Sequence, residues 1–437
     1  MTETILLVGG GGREHAIARA LADDCDLYAC AGNRNPGIAD LADGFTTIDE
    51  TDTEAVVDYG ETIGATAAII GPEAPLEAGL ADELDAADIY AFGPHADEAR
   101  IETDKAWQRE FMQSNDVPGW PDFEVFDDVD AACEYVDDYD GDVAVKPTGL
   151  TGGKGVRVTG DQLTKAKATD YMRESEWEEW VVEERLVGEE FTIQALVANG
   201  EVRTTPAVQD HKRAYEGDEG PNTGGMGSYS DTTDELPFMD ISEYEEAVSI
   251  IDAAVDALPG YKGVLYGQFM LTADGIKVVE FNARFGDPEA MNTLPVMDTS
   301  LLDVIVAARE DDPLPELEFS DKATVCKYGV PEGYPTDPSA GTKLSIDQES
   351  VADAVETWGG EALLYYASVD EREDEIYTTT SRSFAVVGVS ETLHAASTLA
   401  EDALSVAPDE GVRLREDIGS AVLIQERIEH AEELREE

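Results

Sequence analysis

Short apolar runs alternate with amphipathic segments in the N-terminal part of the chain. The strand-like runs occupy Ile5 to Val8, Asp26 to Cys30, Ala67 to Ile70 and Ile89 to Phe92, and helical stretches separate them. Short strands separated by helices are typical of a parallel α/β sheet. The pattern therefore predicts an N-terminal, Rossmann-like domain over residues 1–102.

The pattern changes after a turn-rich segment at Asp116 to Pro121. Two strand-like runs that enclose a glycine-rich loop predict a small lobe over about residues 116–186. A region richer in strands, with a hairpin signal at Asp274-Gly275, predicts a large lobe over about residues 187–312. Together the lobes form an expected domain over residues 103–312. The strand-like runs are Val143 to Val145, Trp180 to Glu184, Val264 to Leu271 and Lys277 to Phe281.

Two prolines, Pro313 and Pro315, interrupt the chain before a final module over residues 320–437, which ends in a helix rich in glutamate. A chain of 437 residues, 42% of them hydrophobic, exceeds the size at which one core stops growing. We therefore expect an α/β multidomain protein whose C-terminal module is mixed α+β.

Acidic residues dominate the charged positions, with 96 aspartates and glutamates against 29 lysines and arginines and a formal net charge of −67. Such a surface repels nucleic-acid phosphates and anionic lipids, so we expect neither as a partner. Salt screens the self-repulsion, since the Debye length falls to about 3 Å near 1 M. The composition therefore favours work in the concentrated salt of a halophile's cytoplasm. Recurring periodic apolar segments exclude an intrinsically disordered chain.

No apolar run is long enough to span a bilayer, and Met1 leads into the first strand without a basic region that would mark export. We therefore expect a cytoplasmic protein. Its four cysteines, Cys25, Cys30, Cys133 and Cys326, lack the spacing of zinc ligands and indicate free thiols. The sequence does not fix the oligomeric state, and a monomer is favoured.

A glycine run, Gly10, Gly11 and Gly12, lies between the first strand and the first helix, and Arg13 follows it. Backbone amides at a helix N-terminus can approach an anion, and an arginine one step into the helix suits a phosphomonoester. A dinucleotide site is disfavoured because His15 stands where the third glycine of that fingerprint belongs. A glycine turn that serves only tight packing is the alternative.

Two lysines eight residues apart flank a second glycine-rich loop: Lys146 ends a predicted strand, and Lys154 lies within the run Gly152 to Gly155. Such a loop can fold cations and amides over a polyphosphate, although its spacing is not that of a P-loop. The chain has only eleven lysines, so this pair indicates a specific anion. Lys105 is a candidate third cation. A basic surface patch is the alternative.

Polar residues alternate along the last predicted strand of the large lobe, which places Glu280, Asn282 and Arg284 on one face. The apolar residues between them, beginning with Val279, would face the core. Two oxygen donors at this spacing suit Mg²⁺, and Arg284 can hold a transferring phosphoryl group or a carboxylate. Gln268, on the partner strand, is a candidate third oxygen donor. A structural polar ladder is the alternative.

Two further features would shape a binding site. The hinge from Val181 to Thr192 can offer backbone groups to an adenine edge and a carboxylate to ribose, although its acids are otherwise ordinary solvated charges. The basic turn Gln209 to Arg213 precedes a glycine-rich loop from Gly220 to Tyr229. Long loops of this composition usually form binding sites, and an inert surface loop is the alternative.

In this order, the segments resemble the phosphoribosylamine–glycine ligase family of the ATP-grasp superfamily over essentially the full chain. The most specific runs are Gly220 to Gly227 and Glu280 to Glu289. The other runs that carry the resemblance are Gly11 to Ala16, Gly71 to Leu76, Phe92 to Pro94, Lys146 with Gly152 to Val156, and Gln209 to Arg213.

The resemblance implies a ligase that joins glycine to 5-phosphoribosylamine through glycyl phosphate in purine biosynthesis, with ATP clamped between two lobes and Mg²⁺, or Mn²⁺, as the metal. The implied ATP-binding residues are Lys105, Lys146, Gly152, Gly153, Lys154, Gly155, Glu183, Glu184, Leu186 and Glu190. The implied metal ligands are Glu280 and Asn282, with Gln268 as a further candidate. The expected substrate-binding residues are Gly10, Gly11, Gly12, Arg13, Glu73, Asp210, Lys212, Arg213, Asn222, Gly224, Gly225 and Arg284, and the expected catalytic residues are Arg284 and Lys154.

The C-terminal module departs most from the family pattern, since Thr378 to Ser383 replaces a glycine-bearing turn, although Arg415 to Gly419 resembles the family's ending. Three rival functions stay open. One is an ATP-grasp enzyme with a different acid and amine, another is a nucleotide-dependent oxidoreductase built on the first domain, and the third is a catalytically silent nucleotide-binding regulator.

Overall fold

The structure is a computed structural model that describes residues 2–149, 155–345, 351, 355, 359–373, 375–406 and 411–436. It begins with a five-stranded parallel sheet of order β3-β2-β1-β4-β5, which confirms the predicted N-terminal α/β unit. Its strands are β1 (Thr4–Val8), β2 (Asp26–Ala31), β3 (Gly44–Thr47), β4 (Ala67–Ile70) and β5 (Tyr90–Phe92). Its helices are α1 (Gly12–Leu21), α2 (Pro36–Leu41), α3 (Thr53–Ile63), α4 (Glu73–Glu77), α5 (Leu80–Ala86) and α6 (Ala96–Thr103). No helix in the described ranges is long and apolar enough to cross a membrane.

A small lobe follows, built on a four-stranded antiparallel sheet of order β6-β9-β7-β8. Its strands are β6 (Phe123–Phe126), β7 (Val143–Pro147), β8 (Arg157–Val158) and β9 (Trp180–Glu184). Its helices are α8 (Val129–Asp138) and α9 (Lys165–Glu174), and α7 (Lys105–Ser114) leads into the lobe. Trp180 and Val182 pack with Val143 and Val145 in a core of the lobe's own.

The large lobe is a second four-stranded antiparallel sheet, of order β11-β10-β16-β17. Its strands are β10 (Glu189–Ala198), β11 (Glu201–Thr204), β16 (Gly263–Thr272) and β17 (Gly275–Asn282), and α10 (Ile241–Asp256) packs against it. Strands β16 and β17 form the predicted hairpin. The connecting segments contain β12 (Gln209–Asp210), β13 (Arg213–Tyr215), β14 (Glu219–Asn222) and β15 (Gly227–Ser230), and α11 (Ala290–Thr293) and α12 (Leu301–Glu310) follow β17.

The prediction that polar and apolar residues alternate strictly along β17 was wrong at one residue, Val279. Gln268 pairs with Glu280 and Phe269 with Val278, so a β-bulge leaves Val279 without a ladder partner. Val278 and Phe281 both face the core, whereas Val279 lines a groove between the lobes. One extra residue in a strand reverses the facing of every residue beyond it, which a period-two pattern cannot foresee.

The last part of the chain forms a sheet with strands from the middle segment. Strands β12 and β15 pair in the order β12-β15-β18-β23-β20, and β24 joins on β18. The new strands are β18 (Ala323–Pro331), β20 (Glu361–Tyr366), β23 (Phe384–Ser390) and β24 (Val412–Arg413). A smaller sheet contains β19 (Lys343–Leu344), β21 (Val369–Arg372) and β22 (Glu375–Thr378), and the helices are α13 (Leu393–Val406) and α14 (Ala421–Glu436). The glutamate-rich final helix is thus confirmed as α14.

His15, on helix α1, joins the N-terminal unit to this last unit. Its ring is buried, accepts a hydrogen bond at Nδ1 from the Tyr366 backbone N–H at 2.8 Å, and stacks on the Tyr366 ring. A Cβ at Gly37 would lie 1.9 Å from the ring, so glycine permits the close packing of α2. Burial lowers the pKa of His15 to about 3, with Arg19 adding to the effect. His15 is therefore neutral in the folded protein at pH 7.

We expect His15 to make the folded state sensitive to acid. Its pKa is depressed in the folded protein, so the unfolded chain binds a proton first as the pH falls below about 6.5, and the free energy of unfolding decreases toward the folded value near 3. The slope from this group approaches about 1.4 kcal/mol per pH unit. His15→Asn keeps an acceptor without a titrating ring, so denaturant unfolding between pH 6 and 4, at fixed high ionic strength, should show a shallower decline. Parallel declines in the two proteins would contradict the assignment.

Candidate active site between the lobes

A cavity of about 480 Å³ opens between the small and large lobes and extends toward the N-terminal domain. Residues from β7, β9, β10, β16 and β17 form its walls. Predicted site residues that line it are Arg13, Glu73, Lys105, Lys146, Glu183, Glu184, Leu186, Glu190, Asp210, Lys212, Asn222, Gly224, Gln268, Glu280, Asn282 and Arg284. Residues that are distant in sequence are thus brought to one groove.

On the small-lobe wall, Lys146 forms part of a buried ionic cluster. Its Nζ lies 2.7 Å from Glu183 Oε2 and donates to Val279 O at 3.1 Å. Arg109 binds the same carboxylate through Nε at 2.7 Å and Nη2 at 3.2 Å. Burial alone would raise the pKa of Glu183, but Arg109 and Lys146 hold it below its usual value. Two cations thus share one carboxylate, which leaves net positive charge at this wall.

The opposite wall carries the predicted oxygen donors. Glu280 and Gln268 face each other across the β16–β17 ladder, and Asn282 Nδ2 lies 3.5 Å from Glu280 Oε1. Gln268 donates through Nε2 to Glu190 Oε2 at 2.7 Å, and its buried Oε1 has no hydrogen-bond partner. Burial would raise the pKa of Glu280, yet Lys212, with other lysines, keeps it lowered. An ionised carboxylate beside an unsatisfied amide oxygen suits a hard cation.

Metal binding here would depend on a single carboxylate with amide oxygens. Across the part of the chain that the structure describes, no group of three or more histidine, cysteine, aspartate or glutamate side chains is arranged to hold a metal ion. The set Glu280, Asn282 and Gln268 is therefore poor in charge. Such sets suit Mg²⁺, which is commonly held by one or two carboxylates together with substrate phosphates.

Arg284 lies just beyond β17, at the end of the groove nearest the N-terminal domain. Its Nη2 lies 2.8 Å from Glu102 Oε1 and donates to Asn282 Oδ1 at 3.2 Å. Glu73 is 3.9 Å away from Nε, which is buried and lacks a hydrogen-bond partner. Burial would lower the pKa of Arg284, but Glu102 and Glu73 raise it. A permanent cation with one free donor is therefore available to a carboxylate or phosphoryl oxygen.

A second acid–base cluster lies at the large-lobe side of the cavity. Asp210 is buried with an unpartnered Oδ1, and Lys212 Nζ lies 3.8 Å from its other oxygen. Burial raises the pKa of Asp210 to about 7 against the opposing effect of Lys212, and Glu289 adds to the rise. Tyr266 donates its hydroxyl to Glu289 Oε1 at 2.9 Å. Two carboxylates and one ammonium group thus face the same space.

A second cavity of about 240 Å³ adjoins the first and shares Arg13, Asp287 and Arg382 with it. The predicted phosphate residues Gly10 and Gly11 line this cavity, whereas Gly12 begins α1 and lies outside the lining. Glu14 already accepts from Gly11 N and from Arg13 Nε, each at 2.6 Å. A phosphate at these donors would therefore have to displace the Glu14 carboxylate.

The remaining predicted residues have other positions. Arg213 forms an ion pair with Asp161 of the small lobe and does not line the main cavity. Gly225 has a φ of +105°, and a Cβ there would lie 2.9 Å from Pro288, so glycine is required at this turn. Gly155 is buried, and its carbonyl accepts from the Tyr171 hydroxyl at 2.9 Å. Gly152, Gly153 and Lys154 lie outside the described residues.

Several residues of the site were missed by the sequence reasoning. Arg109 lies four residues after Lys105 on α7, a spacing that places two scarce cations on one helix face. Glu289 belongs to one of the most specific runs but was given no role. Arg382 comes from the least typical segment of the chain, and its guanidinium donates to Gly225 O at 3.2 Å and pairs with Asp287 at 3.2 Å. Only the folded chain brings it to both cavities.

Comparisons with known proteins agree along the whole chain. Models of the phosphoribosylglycinamide synthetase family match in order: the N domain over residues 3–102, the ATP-grasp (A) domain over residues 103–290 and the C domain over residues 324–421. The phosphoribosylamine–glycine ligase of Methanocella arvoryzae is 50% identical over 443 residues, covering 99% of each chain.

Two solved structures share the fold. The phosphoribosylamine–glycine ligase of Thermotoga maritima aligns with a TM-score of 0.78 at 23% identity, covering 95% of this chain and 99% of that one. The biotin carboxylase domain of the Hydrogenobacter thermophilus 2-oxoglutarate carboxylase, solved with MgADP and bicarbonate, aligns with a TM-score of 0.74 at 15% identity, covering 99% and 98%. With its three segments matched in order and half of its residues identical to those of a relative covered at 99%, the chain belongs to the phosphoribosylglycinamide synthetase family.

Proposed function

We propose that this chain is a ligase that forms glycinamide ribonucleotide from 5-phosphoribosylamine, glycine and ATP, releasing ADP and phosphate, in purine biosynthesis. The observation that carries the proposal is the groove between the lobes, where scarce cations face an acidic and amide wall in a chain of this family. The predicted location in the cytoplasm, the monomeric state and the adaptation to concentrated salt stay predictions.

In the first step, a carboxylate oxygen of glycine attacks the γ-phosphorus of ATP, the bond to ADP breaks, and glycyl phosphate forms. The step needs neutralised charge and alignment more than a nucleophilic side chain. Lys146 and Lys105 line the phosphate side, and Arg284 offers its free donor at the reacting end. Backbone near Leu186 would meet adenine, and Glu190 would bind ribose.

The oxygen donors Glu280, Asn282 and Gln268 fit Mg²⁺, because one of them is ionised and the buried Gln268 Oε1 lacks a hydrogen-bond donor. A bound Mg²⁺ would neutralise phosphate charge. These side chains would also set the orientation of the phosphate tail relative to Lys146. Mn²⁺, which takes similar ligands, is the alternative metal.

In the second step, the amine of phosphoribosylamine attacks the carbonyl carbon, the bond to phosphate breaks, and one proton leaves the nitrogen. The amine must approach from the side of the N-terminal domain, where the second cavity adjoins the first at Arg13 and Asp287. We assign that cavity to the sugar phosphate. Asn33, Ser368 and Ser381 supply further polar groups there, the two serines from the last unit of the chain.

The amino group of glycine would bind beside Asp210 and Glu289. Two buried carboxylates around one cavity favour an ammonium ion over a second anion, and Lys212 balances part of their charge. This arrangement separates the two ends of glycine, with its carboxylate toward Arg284 and its ammonium toward Asp210. A ligase acting on another acid and amine is the rival that the following assay addresses.

Release of ADP in molar salt should require both substrates together with ATP and Mg²⁺. Leaving out glycine should abolish turnover because no acceptor carboxylate is present. Leaving out phosphoribosylamine should reduce ADP release to at most one equivalent per enzyme, because glycyl phosphate is not consumed. Sustained ADP release without glycine would contradict the proposal, and ATP binding without any release would indicate a silent regulator.

Replacing Glu280 with alanine should abolish turnover while the fold persists, since the change removes the only carboxylate of the proposed metal set. The expected loss is at least about a thousandfold in kcat, on the scale of removing a principal charge-stabilising group. Steady-state kinetics and thermal unfolding measure the two properties. Glu245→Ala, at an exposed glutamate of α10, is the control and should leave both unchanged. Near-normal turnover in the Glu280 variant would rule out the metal assignment.

The kcat/KM for glycine should rise with pH through about 7 and then level, because burial raises the pKa of Asp210 to about 7 and only its ionised form attracts the ammonium group. Asp210→Asn should lower kcat/KM and flatten this dependence. Asp312→Asn, at an exposed aspartate, should keep the wild-type profile. An unchanged pH profile in the Asp210 variant would remove Asp210 from glycine recognition.

A further inference from the structure

Helix α7 lies between the two lobes and holds the strand that carries Glu280. Gln108 Nε2 donates to Phe281 O at 3.0 Å. Arg109 Nη2 donates to Val279 O at 2.6 Å and to Val278 O at 3.1 Å. One helix thus holds the backbone carbonyls on both sides of Glu280.

These contacts supply hydrogen-bond donors to the backbone carbonyls at the β-bulge. Val279 has no ladder partner on β16, so its carbonyl needs another donor in this buried region. Arg109 and Lys146 both donate to it. If the Val279 carbonyl lacked a hydrogen-bond donor, a regular β16–β17 ladder without the bulge would be favoured. In that register, Glu280 would face away from the groove.

Arg109 also determines how much net positive charge the small-lobe wall of the groove carries. Arg109 is 1% exposed and holds Glu183 with two hydrogen bonds, while Lys146 holds the same carboxylate with one ion pair. With Arg109 present, the three groups carry a net charge of about +1. Without it, Lys146 and Glu183 would form a neutral pair, and little charge would remain for a phosphate.

We propose that Arg109 is a positioning residue for the ligase reaction, which fixes the bulge of β17 so that Glu280 faces the groove and shares Glu183 so that the wall carrying Lys146 keeps a net positive charge for the nucleotide. Arg109 does not line the cavity, so it acts through Glu280 and through the pair of Glu183 and Lys146. The inference rests on the proposed function. Replacing Arg109 should therefore weaken the binding of nucleotide and metal and leave the KM for glycine unchanged.

The test compares Arg109→Gln and Arg109→Lys with Arg309→Gln, a control that removes a bidentate arginine–glutamate pair with Glu3 far from the groove. Three measurements apply to each protein: the KM for ATP and for glycine, the Mg²⁺ concentration at half-maximal rate, and MgADP binding by calorimetry. The last does not depend on turnover. Thermal unfolding reports how far each variant is destabilised by losing its ion pair, which is buried for Arg109 and partly exposed for Arg309.

Arg109→Gln should raise the KM for ATP, the Kd for MgADP and the Mg²⁺ requirement by about tenfold or more each, the scale of one lost charge-assisted hydrogen bond, with little change in the KM for glycine. Arg109→Lys should recover much of the MgADP affinity, since it restores the charge. Its Mg²⁺ requirement should stay raised, since one ammonium group cannot hold Glu183 and both carbonyls. The control should match wild type in all three measurements.

An Arg109→Gln variant that behaves like the Arg309→Gln control would overturn the proposal while leaving the ligase function intact. If Arg109→Gln does not fold, the Arg109→Lys variant tests the proposal. Wild-type Mg²⁺ dependence and MgADP affinity in Arg109→Lys would then overturn the proposal. If the wild-type protein binds MgADP but does not ligate, the proposed function fails, and MgADP binding by the variants still tests whether Arg109 maintains the net positive charge of the wall that carries Lys146.

Discussion

The carbonyl of Val279 lies where the two lobes meet, and the site depends on how it is satisfied. It belongs to the large lobe, yet its donors are Lys146 of the small lobe and Arg109 of α7. The interaction therefore fixes three elements relative to one another. Because Glu183 holds both donors from the small-lobe side, one hydrogen-bonded cluster connects the wall that carries Lys146 to the wall that carries Glu280.

Charge balance in the groove is local, although the protein as a whole is strongly acidic. Cations in the groove have acidic partners, such as Glu102 for Arg284 and Asp210 for Lys212, and the balance between burial and these neighbouring charges sets the pKa of each acid. Glu280 is kept ionised, while the pKa of Asp210 is raised to about 7. Although the chain has a high negative charge, the protonation states of these acids therefore depend on burial and on the charged groups within a few ångströms.

Much of this organisation could be predicted from the sequence, because the signals are local. Strands β4 and β9 match the predicted ranges, since apolar runs bounded by turns specify short buried strands. The predicted residues Lys105, Lys146 and Glu280 line the groove, because scarce lysines and polar residues at fixed spacing on a strand indicate a site. The bulge at Val279 was not predictable, since it depends on hydrogen bonds from residues more than a hundred positions away.

Other features depend on contacts that no local pattern encodes. Arg109 was missed because its partners, Glu183 and Val279, come from both lobes. Arg382 was missed because its segment departs from the family pattern, yet folding brings it beside Gly225 and Asp287. His15 could be recognised as a departure from a dinucleotide fingerprint, but its contact with Tyr366 becomes visible only when the first and last units pack together.

The sheet shared by the middle and last segments limits how this architecture can be rearranged. Strand β15 pairs with β18 through four residues, and every residue of β18 is buried. Removing the C-terminal segment alone would break this ladder and leave the backbone N–H and C=O groups of β15 without partners, an edge that can act as a template for aggregation. The middle and last segments therefore complete one sheet together, and neither supplies that sheet alone.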